Sequence, residues 1–585
     1  MTDPNQTEAG SPSSGVPSGR GGRLRLLVGR AVRAEATLFL AILAVQLILV
    51  APHLMPTYGE INAFDEAKYI ESGRLLLLGE LRNLSWGPIV ALAYAPFHLL
   101  WGSSPDWFTL EARAGQFLLF GGMWLATVYL AHKLRGRSLA LVTACLLFVS
   151  TAFFGVLNNP SDAALVIFSA LALAKAVCFF QDRSASDAWQ ASLFVGLGVL
   201  ARVEAILYLP LLVALVLGFG RRRQTWIQGL GRSVLPAMLV LAAYLVLSGS
   251  VGASQLGIGG KAYDSFEVNQ PIPGGGSNEA QRRLARELFG TSEENQGSIL
   301  RAISRNPGAF LSRPWINAQE EPARYLDAFG ARLGPALLML AVWGLIGLIL
   351  RRDTRQALAL VLWAAPPLVS LFFLPLHFIR QVSFLILILA AFGVHWVTQP
   401  ASGSRTTLLG ISILMGLAGW LSAKLGFAVS GLVLAAGLLF IELGAAASVS
   451  NAATRSTGLL ILLAGGVVLR PSYRFPDFPP LGDSAREQAV HLLQETVPEG
   501  GRVLEPLPLP AVAAKLVEVS PDQVPSEIQS AESLRRWLDE RDIRAIYSEG
   551  GAGYPDHIWA LVQAGAGSLW NERYTQGNVT VYLLP

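Results

Sequence analysis

The stretch FDEAKYIESGR, residues 64–74, gathers Asp65, Glu66, Lys68, Tyr69 and Ser72 into two helical turns. On a helix starting near Phe64, Asp65, Lys68, Tyr69 and Ser72 fall at i, i+3, i+4 and i+7, so one face offers an acid, a base and two hydroxyls. Such a face can move protons at a bound substrate. A simpler account is also open: Asp65 and Glu66 sit at a helix amino terminus, where the macrodipole favours carboxylates. A second acid, Asp162, lies in LNNPSDAAL, where Asn159 as N-cap and Pro160 as first helical residue make a good helix start in their own right. Arg202 and Glu204 in LARVEAIL close an apolar run, where ionisable groups are expensive and face either a cavity or each other as a salt bridge. PLHFIRQ adds His377 and Arg380. An arginine at that depth suits a lipid phosphate, or simply snorkels to the interface.

The elements that must position these residues follow from composition. With 52% hydrophobic and 15% charged residues over 585 positions and a mean hydropathy of +0.45, the chain is far too apolar for a soluble enzyme. Its apolar runs have the length of membrane-crossing helices, not the ten-residue alternation of barrel strands. About thirteen spans are expected. They fall near 35–52, 112–131, 138–157, 163–180, 188–204, 206–220, 233–250, 332–350, 356–375, 381–398, 406–421, 425–448 and 456–470. The formal net charge of +4 comes with arginines concentrated in short loops such as HKLRGR, RRR and RRDTR, which membrane orientation explains better than nucleic-acid binding. The positive-inside rule then places the amino terminus in the cytoplasm and, with an odd span count, the carboxy terminus outside. Cys145 and Cys178 both lie in apolar segments and read as small buried hydrophobes.

The chain divides accordingly. Residues 1–34, opening on a Ser, Gly and Pro-rich stretch, are expected to be a disordered cytoplasmic tail. Residues 35–470 form the transmembrane domain, with outer loops at 53–111 and 251–331. The first loop reads as two short helices, about 64–79 and 88–101, lying at the membrane surface. The second, with NQPIPGGGSN followed by EAQRRLARELFG, reads as a lip over a pocket. Residues 471–585 mix helical patterns with the β-like runs GRVLEPL, IRAIYSE and VTVYLL, and so predict a small outer α/β domain. That domain shows no GxGxxG, metal-spaced or triad motif.

Taken in order, FDEAKYIESGRLLLLGE, WGPIVALAYAPF, NNPSDA, GLGVLARVEAIL and HFIRQVSFLILIL resemble the GT-C superfamily of polyprenyl-phosphate-sugar glycosyltransferases, in particular protein O-mannosyltransferases and lipid A aminoarabinose transferases. The resemblance covers roughly the first 400 residues. It implies an inverting transfer of one sugar from a polyprenyl-phosphate carrier to a protein, lipid or glycan acceptor, at the outer face of the cytoplasmic membrane. It assigns Asp65 as catalytic base, Glu66 in support and Asp162 as an orienting acid. Arg380, Arg202, Lys68 and Arg74 would hold the donor phosphate, and Tyr69, Glu204 and His377 would position substrate. No obligatory metal is expected; where one binds, Asp65, Glu66 and Asp162 are the hard oxygen ligands for Mg²⁺ or Mn²⁺. The late family motif often reads Arg-Tyr, whereas this chain has Arg380-Gln381. The rival class is a transporter or flippase that binds the same anionic lipid without chemistry, for which charges nearer mid-bilayer would be expected.

Overall fold

A computed structural model describes residues 40–48, 65–79, 88–101, 105–149, 152–182, 184–219, 224–247, 263–272, 278–320, 337–350, 353–368, 372–398 and 484–585, apart from single positions and short gaps within them. The expected tail 1–34 and the spans expected at 406–421, 425–448 and 456–470 lie outside the described residues.

The chain is mostly helical. The segment after the first apolar run, expected as an outer loop, supplies α1 (Asp65–Leu77) and α2 (Pro88–Trp101), matching the two short helices expected there. Then come α3 (Pro105–Arg135), α4 (Arg137–Val149), α5 (Ala152–Leu157), α6 (Pro160–Asp182), α7 (Ala185–Ala201), α8 (Tyr208–Phe219) and α9 (Gln224–Leu247). The segment 251–331, expected as the second outer loop, contains α10 (Asn278–Phe289), α11 (Ile299–Arg305) and α12 (Pro307–Glu320). Later come α13 (Leu340–Leu350), α14 (Thr354–Trp363) and α15 (Pro375–Thr398). Three described segments are long and apolar enough to cross a bilayer: Leu110–Arg135, Pro160–Asp182 and Gly229–Val246. The protein is a helical membrane protein.

Several expected spans are broken where their sequence explains it. The run at 138–157 divides into α4 and α5, and in the run at 356–375 the helix ends at Trp363 and a separate single turn, Ala365–Leu368, carries Pro366 and Pro367. The run at 188–204 ends at Ala201: Arg202 is extended (φ −152°, ψ 129°), and a 3₁₀ turn, Val203–Leu207, follows it. His377 and Arg380, expected in a short loop, instead occupy the first two turns of α15, which opens on Pro375 at the position where a missing N–H costs nothing.

Small residues set the close helix contacts around α1. A Cβ added at Gly73 would lie 3.0 Å from Tyr94 Cβ and 3.1 Å from Ala95 N, so α1 packs on α2 backbone to backbone. Gly115 of α3 meets the ring of the same Tyr94, which is fully buried. On α7, a Cβ at Gly196 would meet Ala237 Cα of α9 at 2.8 Å. Below the site, Trp363 Nε1 donates to Ser169 Oγ (2.8 Å) and its ring lies 4.9 Å from that of Tyr208, which ties α6, α8 and α14 together. Between α10 and α12, the buried Arg313 guanidinium lies over the rings of Phe266 (3.9 Å) and Phe289 (5.0 Å).

The carboxy-terminal part is a small α/β unit, as expected. Its strands are β1 (Arg502–Leu504), β2 (Val517–Val519), β3 (Ile543–Glu549), β4 (Asn571–Gln576) and β5 (Val579–Leu583), in the order β2-β1-β3-β5-β4. β1 pairs in parallel with β2 and β3, while β5 runs antiparallel to β3 and β4. Helices α16 (Ser484–Thr496), α17 (Ala531–Glu540) and α18 (Asp556–Gly565) cover it. The alternation of strand residues separates two faces. Leu504, Ile546 and Tyr582 pack with Leu534, Trp537 and Ile558, whereas Val503, Ala545, Tyr547 and Val581 join the core that also contains Ala489, Leu493 and the residues of α1 and the membrane helices.

Candidate functional site

The site is built around one buried carboxylate. Asn159 caps α6: its Oδ1 accepts from Ser161 N–H (3.2 Å) and from Ser161 Oγ–H (2.7 Å). The helix start expected there is therefore present, and the Asp162 carboxylate takes its partners from other elements. That side chain is fully buried. Arg202 Nη1 lies 3.4 Å from Asp162 Oδ1 and Arg380 Nη1 lies 3.4 Å from Asp162 Oδ2, and Gln381 Nε2 donates to Oδ1 at 3.3 Å.

Chain geometry explains how Arg202 arrives. α7 ends at Ala201 and the Arg202 backbone is extended, while its own N–H still closes the helix on Gly198 O at 2.8 Å. The guanidinium then donates to Ser161 Oγ (3.2 Å) and Glu204 Oε1 (2.8 Å). Arg202 and Glu204 thus pair as one sequence reading proposed, yet the same arginine also reaches Asp162. Arg380 comes from the second turn of α15, so three separate elements meet at one carboxylate.

Two guanidiniums face the buried Asp162 carboxylate, and Glu204, at the more exposed edge, pairs with Arg202 at 2.8 Å, so two acids balance the two arginines. The Nε atoms of Arg202 and Arg380 are buried and bond to no protein group. A buried donor without an acceptor is costly, so the cluster is suited to an anion that brings its own oxygens.

Tyr69 of α1 is buried and interacts electrostatically with Arg202, which puts α1 beside the arginine cluster. Asp65 lies one turn earlier on the same face of α1. The side chains of Asp65, Glu66 and His377 lie outside the described residues. Arg74 is half-buried in the last turn of α1. Lys68 does not join the arginines: its Nζ pairs with Glu71 (3.4 Å) and with Glu518 of β2. Two carboxylates lie against the ammonium, so Lys68 is engaged in a contact with the carboxy-terminal unit.

A divalent cation suits Asp162 poorly. Both carboxylate oxygens already face guanidiniums at 3.4 Å, which would repel it.

Sequence reading missed Gln381, Ser161 and Glu518. Gln381 departs from the Arg-Tyr pattern at the position that contacts Asp162, and this was the available signal. Nothing in VEV, residues 517–519, marks Glu518 as a partner of Lys68, since the contact spans the whole membrane domain in sequence.

No family model matches the chain, and no curated protein matches its sequence. Solved structures do. ArnT from Cupriavidus metallidurans in the apo state aligns over 94% of this chain and 98% of its own, with a TM-score of 0.52 at 13% identity. The chain has the GT-C fold. The GT-C likeness extends at lower scores to ArnT bound to undecaprenyl phosphate (TM-score 0.49, 15% identity, 94% and 97% covered). It extends as well to the oligosaccharyltransferase AglB from Archaeoglobus fulgidus, in complex with an inhibitory peptide and a dolichol-phosphate (0.48, 12%, 94% and 74%).

Proposed function

We propose that the protein is an inverting glycosyltransferase that moves one sugar from a polyprenyl-phosphate carrier to an acceptor at the outer face of the cytoplasmic membrane. The observation that carries this reading is the pair of guanidiniums at Asp162, each with an unpaired Nε, next to the helix that bears Asp65. The donor phosphate sits against Arg202 and Arg380. Asp162 and Gln381 fix the two arginines so that little reorganisation is needed as charge builds on the departing phosphate.

In the reaction, an acceptor oxygen attacks the anomeric carbon and forms the new glycosidic bond. The bond from that carbon to the phosphate oxygen breaks, and the electron pair leaves with the polyprenyl phosphate. Asp65 takes the acceptor's proton, with Glu66 in support. A phosphate is already a good leaving group, so the site needs cations and one base and no strong general acid. Glu204, Tyr69 and His377 position the substrates. The fold neighbour ArnT has been captured with undecaprenyl phosphate, a ligand of the class this site suits.

The test is to give the purified protein a panel of radiolabelled polyprenyl-phosphate sugars and to follow carrier release. The wild type is expected to turn over at least one donor, and Asp65→Asn to abolish turnover while donor binding persists. Binding of carrier without release by the wild type would point to a transporter instead, and near-normal rates in the variant would remove Asp65 from the mechanism.

A further inference from the structure

The carboxy-terminal sheet reaches α1 through charge. Glu518 pairs with Val503 across the β1–β2 register, and Glu505 follows Val503 by two residues, so both carboxylates stand on the face of the sheet that joins the membrane-helix core. Lys68 Nζ contacts Glu518 and lies 3.4 Å from Glu71, with the Lys68 and Glu518 side chains only 21% and 13% exposed. Glu505 is fully buried beside this pair: Oε1 accepts from Ala511 N–H at 3.1 Å, and Oε2 has no protein partner. The same face carries a second buried ion pair, Arg486 of α16 with Glu549 at 2.6 Å, joined by Tyr547. The sheet is thus anchored on its own helix on one side and on α1 on the other.

Lys68 follows Asp65 by three residues, within a single helical turn. A partly buried ion pair at that position holds the helix against both rotation and lift. We infer that Lys68 and Glu518 form a latch by which the carboxy-terminal domain positions α1, and with it Asp65, over the arginine cluster. The inference rests on the reading of the site as a glycosyltransferase, and it makes Lys68 a positioning residue and not a phosphate ligand. It also gives the carboxy-terminal domain a part in turnover without any contact to substrate.

The experiment uses the full-length protein in lipid nanodiscs, with Lys68→Glu, Glu518→Lys, the double exchange and Lys68→Arg. Carrier release is measured against donor concentration, and hydrogen exchange is followed in the 65–77 segment. Each single reversal is expected to lower kcat by roughly 100-fold, as for a small displacement of a catalytic group, with donor KM within about twofold of wild type. Exchange in 65–77 speeds up, the double exchange recovers both readouts, and Lys68→Arg stays close to wild type. A raised KM with unchanged kcat would overturn the latch in favour of direct phosphate binding, as would a double exchange that recovers neither readout. If a single reversal fails to fold, Lys68→Gln carries the same readouts. If the wild type transfers no sugar, the functional reading fails, while the exchange data still decide whether Glu518 restrains α1.

Discussion

Arg380 Nη1 and Asp162 Oδ2 lie 3.4 Å apart although 218 residues separate them in the chain. The contact brings the start of α6 to the second turn of α15, and Arg202 completes it from the break after α7. A carboxylate with no exposed side-chain surface is tolerable only because two guanidiniums and an amide satisfy it. Conversely, the arginines are held in place before any ligand arrives.

That interdependence makes Asp162 a structural and a functional residue at once. Asp162→Ala leaves two partly buried guanidiniums facing each other, and thermal unfolding in detergent should show a loss of about 3–5 kcal/mol. Asp162→Asn keeps the shape and one acceptor, so its loss should be smaller. Equal stability of wild type and Asp162→Ala would mean that the cluster is solvated and not built as described.

For Arg380 the expected deficit is in binding. Removing a charge-assisted contact to phosphate costs about 1.5–3 kcal/mol. Arg380→Ala should therefore weaken undecaprenyl-phosphate binding roughly 10- to 150-fold by calorimetry, with Arg380→Lys recovering part of it. Arg202→Ala should act in the same direction. An unchanged Kd in both variants would remove the phosphate from this site.

Gly73 tests the packing that carries α1. A methyl group there meets Tyr94 Cβ at 3.0 Å and the backbone at Ala95, and neither is the end of a flexible side chain. Gly73→Ala should cost about 1–3 kcal/mol and lower carrier release, because α1 must move off α2. A variant as stable and active as wild type would show that α1 is free to shift.

Glu505 predicts a pH dependence. Burial, and then the neighbouring Glu518, push its carboxyl well above the usual carboxylate range, with Ala511 N–H and Lys68 opposing and Glu71 adding to the rise. The folded protein therefore holds this proton more tightly than the unfolded chain does. The stability it confers is full below the unfolded value near 4.5 and is lost as pH rises through the folded value. Glu505→Gln should leave the unfolding temperature unchanged at acidic pH and raise it by several degrees at pH 8. A variant that tracks wild type at both pH values would contradict the assigned burial.

The sequence by itself was enough for the membrane class, the two short helices at 64–79 and 88–101 and the small carboxy-terminal α/β unit, because each follows from local composition or from helical spacing. The start of α6 at Pro160 and the proximity of Asp65 to Tyr69 on one face are of this kind. Tertiary structure alone decided who pairs with whom. Arg202 was legible as a buried charge but not as a partner of Asp162, which depends on the helix breaking at Ala201. Lys68 looked equally fit for phosphate until the fold brought Glu518 to it across 450 residues. Ion-pair choice depends on distance and burial after the chain has packed, and periodicity along the chain carries neither.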